Sequence, residues 1–272
     1  MQYPLANTDL ERSRLALQGT TFAAITRRLL CAGNVAAGMR VIDYGSGAGD
    51  VSLLAAELVG PEGHVVGIDR DASQVEFARK RATEAGIGNV DFLQGDFFTV
   101  LDAPPFDAAV GRFVLTYQPD PVAAVRSAMA NVRPGGTCAF LEANKCPEST
   151  HLVRWPPLPP AYAHILREST RALAGAMQHP LIGVQLPNIF REAGLDISDW
   201  GFEAVAPLMR SDSLRPAIAL AARTTGRLAV EQRLLESGDL DIDAIAQYLD
   251  ALPEEAAGIG SMCVAGWARK PG

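Results

Sequence analysis

Short apolar runs recur through the first half of the chain, separated by stretches with helical periodicity. Residues 40–44, 64–69, 90–94, 106–111 and 137–143 are rich in Val, Ile, Phe and Ala and read as strands. Helices fit the intervening stretches 51–59, 72–85 and 121–132. A capping box of Thr8 and Glu11 opens an earlier helix reaching to about Leu30. Asp50, Asp71 (with Gln74) and Asp120 stand where the next three helices need caps, and Pro121 fits a first helical position. Gly60-Pro61 and Gly86 are stop signals. Strands alternating with helices over short connections predict right-handed βαβ units and a parallel sheet, an α/β protein.

The pattern changes after Asn144. A proline-rich stretch, Pro156 to Pro160, precedes a helix expected over 162–177, and a short helix is expected over 187–193. Residues 195–206 and 261–269 read as two more strands, with helices at 214–237 and 241–252 between them. The expected organisation is therefore an N-terminal helical segment (1–36), a Rossmann-like core (37–144), a lid (145–186) and a C-terminal part of the sheet (187–272) interrupted by helices at 211–255.

Composition narrows the function classes. The chain has 272 residues, 48% of them apolar, enough for a substantial core. A net charge of −7 disfavours nucleic acid as a partner. The four cysteines are scattered without metal-ligand spacing, so no metal site is expected. No run approaches the length of a membrane span, and no secretory leader is visible at the N-terminus, so a cytoplasmic protein is expected.

The chemistry concentrates at strand ends. The first strand runs into Asp43-Tyr44-Gly45-Ser46-Gly47-Ala48-Gly49, a turn that brings a ligand close to bare backbone. Asp69, at the end of the second strand, suits the two hydroxyls of a ribose. Gly95-Asp96-Phe97 follows the third strand, where a carboxylate can accept from an adenine amine and a ring can flank the base. Dinucleotide sites place their third glycine five positions after the first. Here Asp50 holds that position, and Asp43 stands two residues before Gly45. Carboxylates at both places repel a pyrophosphate and attract a cation. S-adenosylmethionine, with a sulfonium, an ammonium and a ribose but no phosphate, is the cofactor that fits.

Together with the Phe106-Asp107 strand entry and the Arg133-Pro134-Gly135-Gly136 turn, these motifs resemble the class I S-adenosylmethionine-dependent methyltransferases, in particular the small-molecule enzymes of ubiquinone/menaquinone type. The similarity covers about Ala37 to Asn144. It implies a Rossmann-like seven-stranded mixed sheet with helical lid insertions. It further implies that Asp43, Gly45, Ser46 and Gly47 face the methionine part, that Asp69 with Arg70 serves the ribose, and that Gly95, Asp96 and Phe97 serve the adenine. Arg112 would lie beside the cofactor, with Tyr3 and Gln18 as further contacts from the N-terminal segment. Ser46 stands where the family commonly has Cys. Gly111-Arg112-Phe113 stands where enzymes that methylate DNA bases or protein amides carry an Asn-Pro-Pro-Tyr motif, which disfavours those substrates.

The implied reaction is methyl transfer to an oxygen, nitrogen or carbon of a small organic acceptor, quinone-like or from secondary metabolism. Positioning in a dry site supplies much of such catalysis. If the acceptor must lose a proton, Glu142, His151 and Tyr117 are the candidate bases, with His164 and His179 less favourably placed. Arg154 could bind an anionic acceptor, and Trp155, Tyr162 and Trp200 could line an apolar pocket. The amphipathic helices between Leu214 and Leu252 suit a lid or a homodimer surface. The alternative is a protein of this fold that holds the cofactor as a scaffold or catalyses a different step, such as a cyclisation.

Overall fold

The computed structural model describes residues 9–99, 101–147 and 154–272. The chain divides into two compact units. One holds residues 22–142, 182–205 and 263–272 and contains the main sheet. The other holds, of the described residues, 9–21, 143–147, 154–181 and 206–262 and is mostly helical.

Seven strands form the main sheet: β1 (Arg40–Tyr44), β2 (His64–Asp69), β3 (Val90–Gln94), β4 (Phe106–Arg112), β5 (Val132–Ala143), β7 (Asp196–Val205) and β10 (Cys263–Arg269). Their order is β3-β2-β1-β4-β5-β10-β7. The first five are parallel, and β10 pairs antiparallel with β7, so the expected mixed sheet is present. β1 lies centrally, with Ile42 opposite Val66 on one side and Ala109 on the other. Val41, Ile42, Asp43 and Tyr44 are all buried, as expected of a strand covered on both faces. Strand order reverses beside β1, where such sheets place ligands at the strands' carboxyl ends. Helices α2 (Asp50–Val59), α3 (Ala72–Glu84) and α4 (Pro121–Ala130) fill the crossovers.

Three departures from the sequence expectation have a clear physical reason. β5 begins at Val132 because the Arg133–Gly136 turn is built into the strand as an irregularity. Lys270 satisfies that turn, accepting from the Gly135 N–H at 3.0 Å and donating to the Gly136 carbonyl at 2.8 Å. α6 (Ile182–Glu192) starts five residues before the expected Pro187, which lies inside it. Ile182, Leu186, Ile189 and Phe190 line one buried face, and that burial outweighs the hydrogen bond the proline removes. Asp50 does not cap α2: the N-cap is Gly49, and Asp50 is the first helical residue. By contrast, Asp71 and Asp120 cap α3 and α4 as expected. At the sheet edge, Arg79 of α3 donates Nε and Nη2 to the Phe92 carbonyl of β3 at 3.1 and 2.6 Å.

The helical unit builds its own core. α5 (Pro160–Gly175), α7 (Ser211–Ala221), α8 (Arg227–Glu231) and α9 (Ile242–Asp250) bury Ile165, Leu166, Leu214, Ile218, Ile245 and Leu249 together. A π-helical turn, Ala222–Gly226, joins α7 to α8, where one uninterrupted helix was expected. Thr224 and Thr225 turn their hydroxyls back onto the Leu220 and Ala221 carbonyls there. A three-stranded antiparallel sheet of β6 (Arg154–Trp155), β9 (Ala257–Ile259) and β8 (Leu208–Arg210) was not anticipated. No helix among the described residues is long and apolar enough to cross a membrane.

Candidate functional site

The glycine turn joins β1 to α2 at the carboxyl ends of the strands. Gly45 has φ 68°, a conformation other residues rarely adopt, and a side chain there would collide with Val114. Gly49 has φ 87°, and a Cβ there would lie 2.9 Å from Cζ of Phe92. The Gly45 and Ser46 N–H groups donate to the Ile68 carbonyl at 2.8 and 3.0 Å, binding the turn to the end of β2. Asp69 completes the attachment. Its Oδ2 accepts the Gly47 N–H at 2.8 Å and its Oδ1 accepts the Asp71 N–H at 2.9 Å. Burial raises the Asp69 carboxyl above its ordinary range despite those two bonds.

Asp43 is fully buried at the head of this turn. Its Oδ2 accepts from the Ser52 hydroxyl at 2.6 Å, while Oδ1 is buried without a hydrogen-bond partner. Burial pushes its carboxyl up to about 7, opposed by the Ser52 bond and the Arg112 charge. The Ser46 hydroxyl is likewise buried and unpartnered. A buried acceptor without a donor is costly, so these atoms fit a ligand that supplies a positive donor group. Gly47 adds open space, with no atom within 4 Å of where its Cβ would be.

Asp50 corrects part of the charge argument. Its carboxylate bridges Arg81 at 2.8 Å and Arg112 at 3.2 Å. Two guanidiniums offset its charge, so the repulsion expected of it toward a pyrophosphate falls away and Asp43 alone carries that argument. Arg112 also donates to Thr26 at 3.2 Å, with its side chain only 8% exposed. Burial lowers its pKa, against the opposing pull of Asp50 and Asp43.

After β3, Asp96 accepts the Phe98 N–H at 2.8 Å and donates its own N–H to the Thr99 hydroxyl at 2.9 Å. Phe97 departs from expectation: instead of flanking an open ring site it is 2% exposed and stacks on Tyr44 at 4.8 Å inside the core. The exposed ring of this segment is Phe98, at 57%. Arg70 is exposed beside Asp69, and the Gln94 amide donates to its carbonyl at 3.2 Å.

A family profile described as a methyltransferase domain matches residues 36–194. The chain belongs to this methyltransferase family. Its cofactor is S-adenosylmethionine. The chain is 37% identical over 120 residues to aklanonic acid methyltransferase DauC of Streptomyces sp. (strain C5), covering 44% of this chain and 54% of that protein. It is 31% identical over 112 residues to demethylmenaquinone methyltransferase of Listeria monocytogenes, covering 40% of this chain and 46% of that protein. The chain thus spans about half the length of the curated relatives it matches. Among solved structures, the YcgJ protein from Bacillus subtilis is similar with a TM-score of 0.58 and 16% identity, covering 93% of this chain and 99% of that one, which shows a shared fold.

The acceptor-side candidates fall in different local environments. Glu142 was expected to face a crevice at the end of β5. It is fully buried instead, and its Oε1 accepts the N–H groups of Val114 at 2.9 Å and Leu115 at 2.8 Å. Burial pushes its carboxyl up to about 7 against those bonds. Tyr117 is half-buried at the end of a 3-10 turn, Leu115–Tyr117. Tyr3 and His151 lie outside the described residues. Gln18 is half-buried on α1 (Asp9–Ala32), within the helical unit. His164 is half exposed on α5, 4.0 Å from Glu168, and His179 is half-buried between α5 and α6. Tyr162 belongs to the helical core, donating to the Ala244 carbonyl at 3.0 Å with its ring 4.8 Å from Tyr248. Trp155 and Trp200 are exposed, in different units.

Sequence reasoning missed two residues of this region. Ser52 lies within a largely apolar helix and nothing in the local pattern marks it as the hydrogen-bond partner of Asp43. Arg81 sits 31 positions from Asp50, too far apart for any local pattern to pair them.

Proposed function

We propose that this chain transfers a methyl group from S-adenosylmethionine to an oxygen, nitrogen or carbon of a small organic acceptor. The observation that carries the reading is the unpartnered, fully buried Oδ1 of Asp43 at the head of a left-handed glycine turn. The bound cofactor supplies an electrophilic methyl group on a sulfonium. Asp43 then holds the cationic methionine end, and Asp69 keeps Gly47 in place while offering its remaining lone pairs to the ribose. Asp96 and the exposed Phe98, rather than Phe97, serve the adenine. With these groups preset, the acceptor needs only to be aligned behind the methyl carbon in a water-poor space.

The acceptors named for the two relatives, aklanonic acid and demethylmenaquinone, support a quinone-like or secondary-metabolite substrate. The test is isothermal titration with S-adenosylmethionine and with NAD, followed by mass spectrometry of candidate acceptors incubated with methyl-labelled cofactor. Binding of S-adenosylmethionine and a labelled product are expected. Tight binding of NAD alone overturns the cofactor reading. A bound cofactor without any methylated product favours the scaffold alternative.

A further inference from the structure

Glu142 sits where a base would be sought, yet its contacts point inward. Both N–H groups that its Oε1 accepts belong to the bend after β4. That bend is strained: Phe113 has φ 56°, a left-handed conformation that a residue with a side chain rarely adopts. Hydrogen bonds to a carboxylate are strong enough to hold such a conformation. The bend carries Val114 onto the first glycine of the cofactor turn. A Cβ on Gly45 would lie 2.8 Å from Cβ of Val114, so the two residues are in direct apposition. A continuous set of contacts therefore runs from the Glu142 carboxylate through residues 113–115 to Gly45.

We propose that Glu142 is a positioning residue of the cofactor site: its carboxylate fixes the bend at residues 113–115, and Val114 then clamps the glycine turn. The role rests on the reading of that turn as the cofactor's seat. It differs from a base in using Oε1 for two backbone donors rather than for an acceptor proton.

Three variants test it, each read by amide hydrogen exchange of residues 45–49 without cofactor and by titration with S-adenosylmethionine. Glu142→Leu removes the acceptor oxygens; exchange in the turn should accelerate and affinity should fall by about tenfold or more, the equivalent of one lost hydrogen bond of this kind. Glu142→Gln keeps an acceptor oxygen and should recover affinity to within about threefold of the unmodified protein. Val114→Ala removes the clamp while leaving Glu142 in place; it should accelerate exchange in the turn, and it decides the matter if Glu142→Leu fails to fold. Unaltered exchange in the turn of both Glu142→Leu and Val114→Ala overturns the proposal. So does loss of turnover in Glu142→Gln with cofactor affinity intact, the signature of a base. If the unmodified protein does not bind S-adenosylmethionine, the functional reading fails, and the exchange comparison still decides the role of Glu142.

Discussion

Buried carboxylates are treated differently in the two units. In the sheet unit, Asp43 and Glu142 are wholly enclosed, each keeps one oxygen without a hydrogen-bond partner, and burial lifts both to about 7. In the helical unit, the buried Glu168 has its charge answered by Arg171 at 3.0 Å, with His164 at 4.0 Å. An ionisable group left incomplete in the interior is expensive and persists where something else completes it. A group already paired on its own helix has a sufficient structural explanation. The contrast lies in the carboxylates alone: Asp43 and Glu142 in the sheet unit are left incomplete, whereas Glu168 in the helical unit is answered by a cation one helical turn away.

Four measurements follow, the first on the core of the sheet unit and the other three on that contrast. The largest effect belongs to packing: Phe97→Ala should cost about 3–5 kcal/mol of stability in denaturant unfolding, whereas Phe98→Ala should stay within about 0.5 kcal/mol. Equal losses would mean that the two rings are not divided between core and surface. Next, Asp43→Ala should weaken S-adenosylmethionine by about 1.5–3 kcal/mol in isothermal titration, the range for hydrogen bonds to charged groups. An unchanged affinity would remove Asp43 from the ligand's path.

The third is a pH dependence. The folded protein holds the Asp43 proton more tightly than the unfolded chain, because burial raises that carboxyl from 3.8 to about 7. Its contribution to stability is therefore fully present below about pH 4 and is lost as pH rises through about 7. Affinity for a cationic ligand should move oppositely, tightening as Asp43 ionises between about pH 6 and 8. Asp43→Asn should flatten both trends, in thermal melts and in titrations. The smallest effect is expected for Glu168→Gln. It should cost about 0.5–1 kcal/mol, since both partners of Glu168 are about half exposed, and leave the cofactor dissociation constant where it was. A loss of cofactor binding there would abolish the distinction between the units.

The sheet unit was legible because its central strands are covered on both faces and so read as continuous apolar runs: β1 and β2 have the bounds that the sequence indicates. The glycine turn and Asp69 were legible because their spacing is local and their geometry demands particular residues. What escaped needed three-dimensional information. Phe97 and Phe98 are adjacent aromatics whose opposite fates depend on which one meets Tyr44. The strands of the small sheet are two or three residues long, too short to show alternation. Asp50 looks like a helix cap until Arg81 and Arg112 arrive from α3 and β4. Glu142 ends a strand beside the crevice, as a base would, and only its backbone partners reveal that it faces inward.

The fork of Arg79 over the Phe92 carbonyl has a consequence for solubility. β3 is the outermost strand on its side of the sheet, and such a border is a template for adding a foreign strand. With that carbonyl already engaged by a cation, an incoming chain would meet both a missing acceptor and a positive charge. Neutralising this one side chain would leave folding largely intact and make the protein prone to self-association.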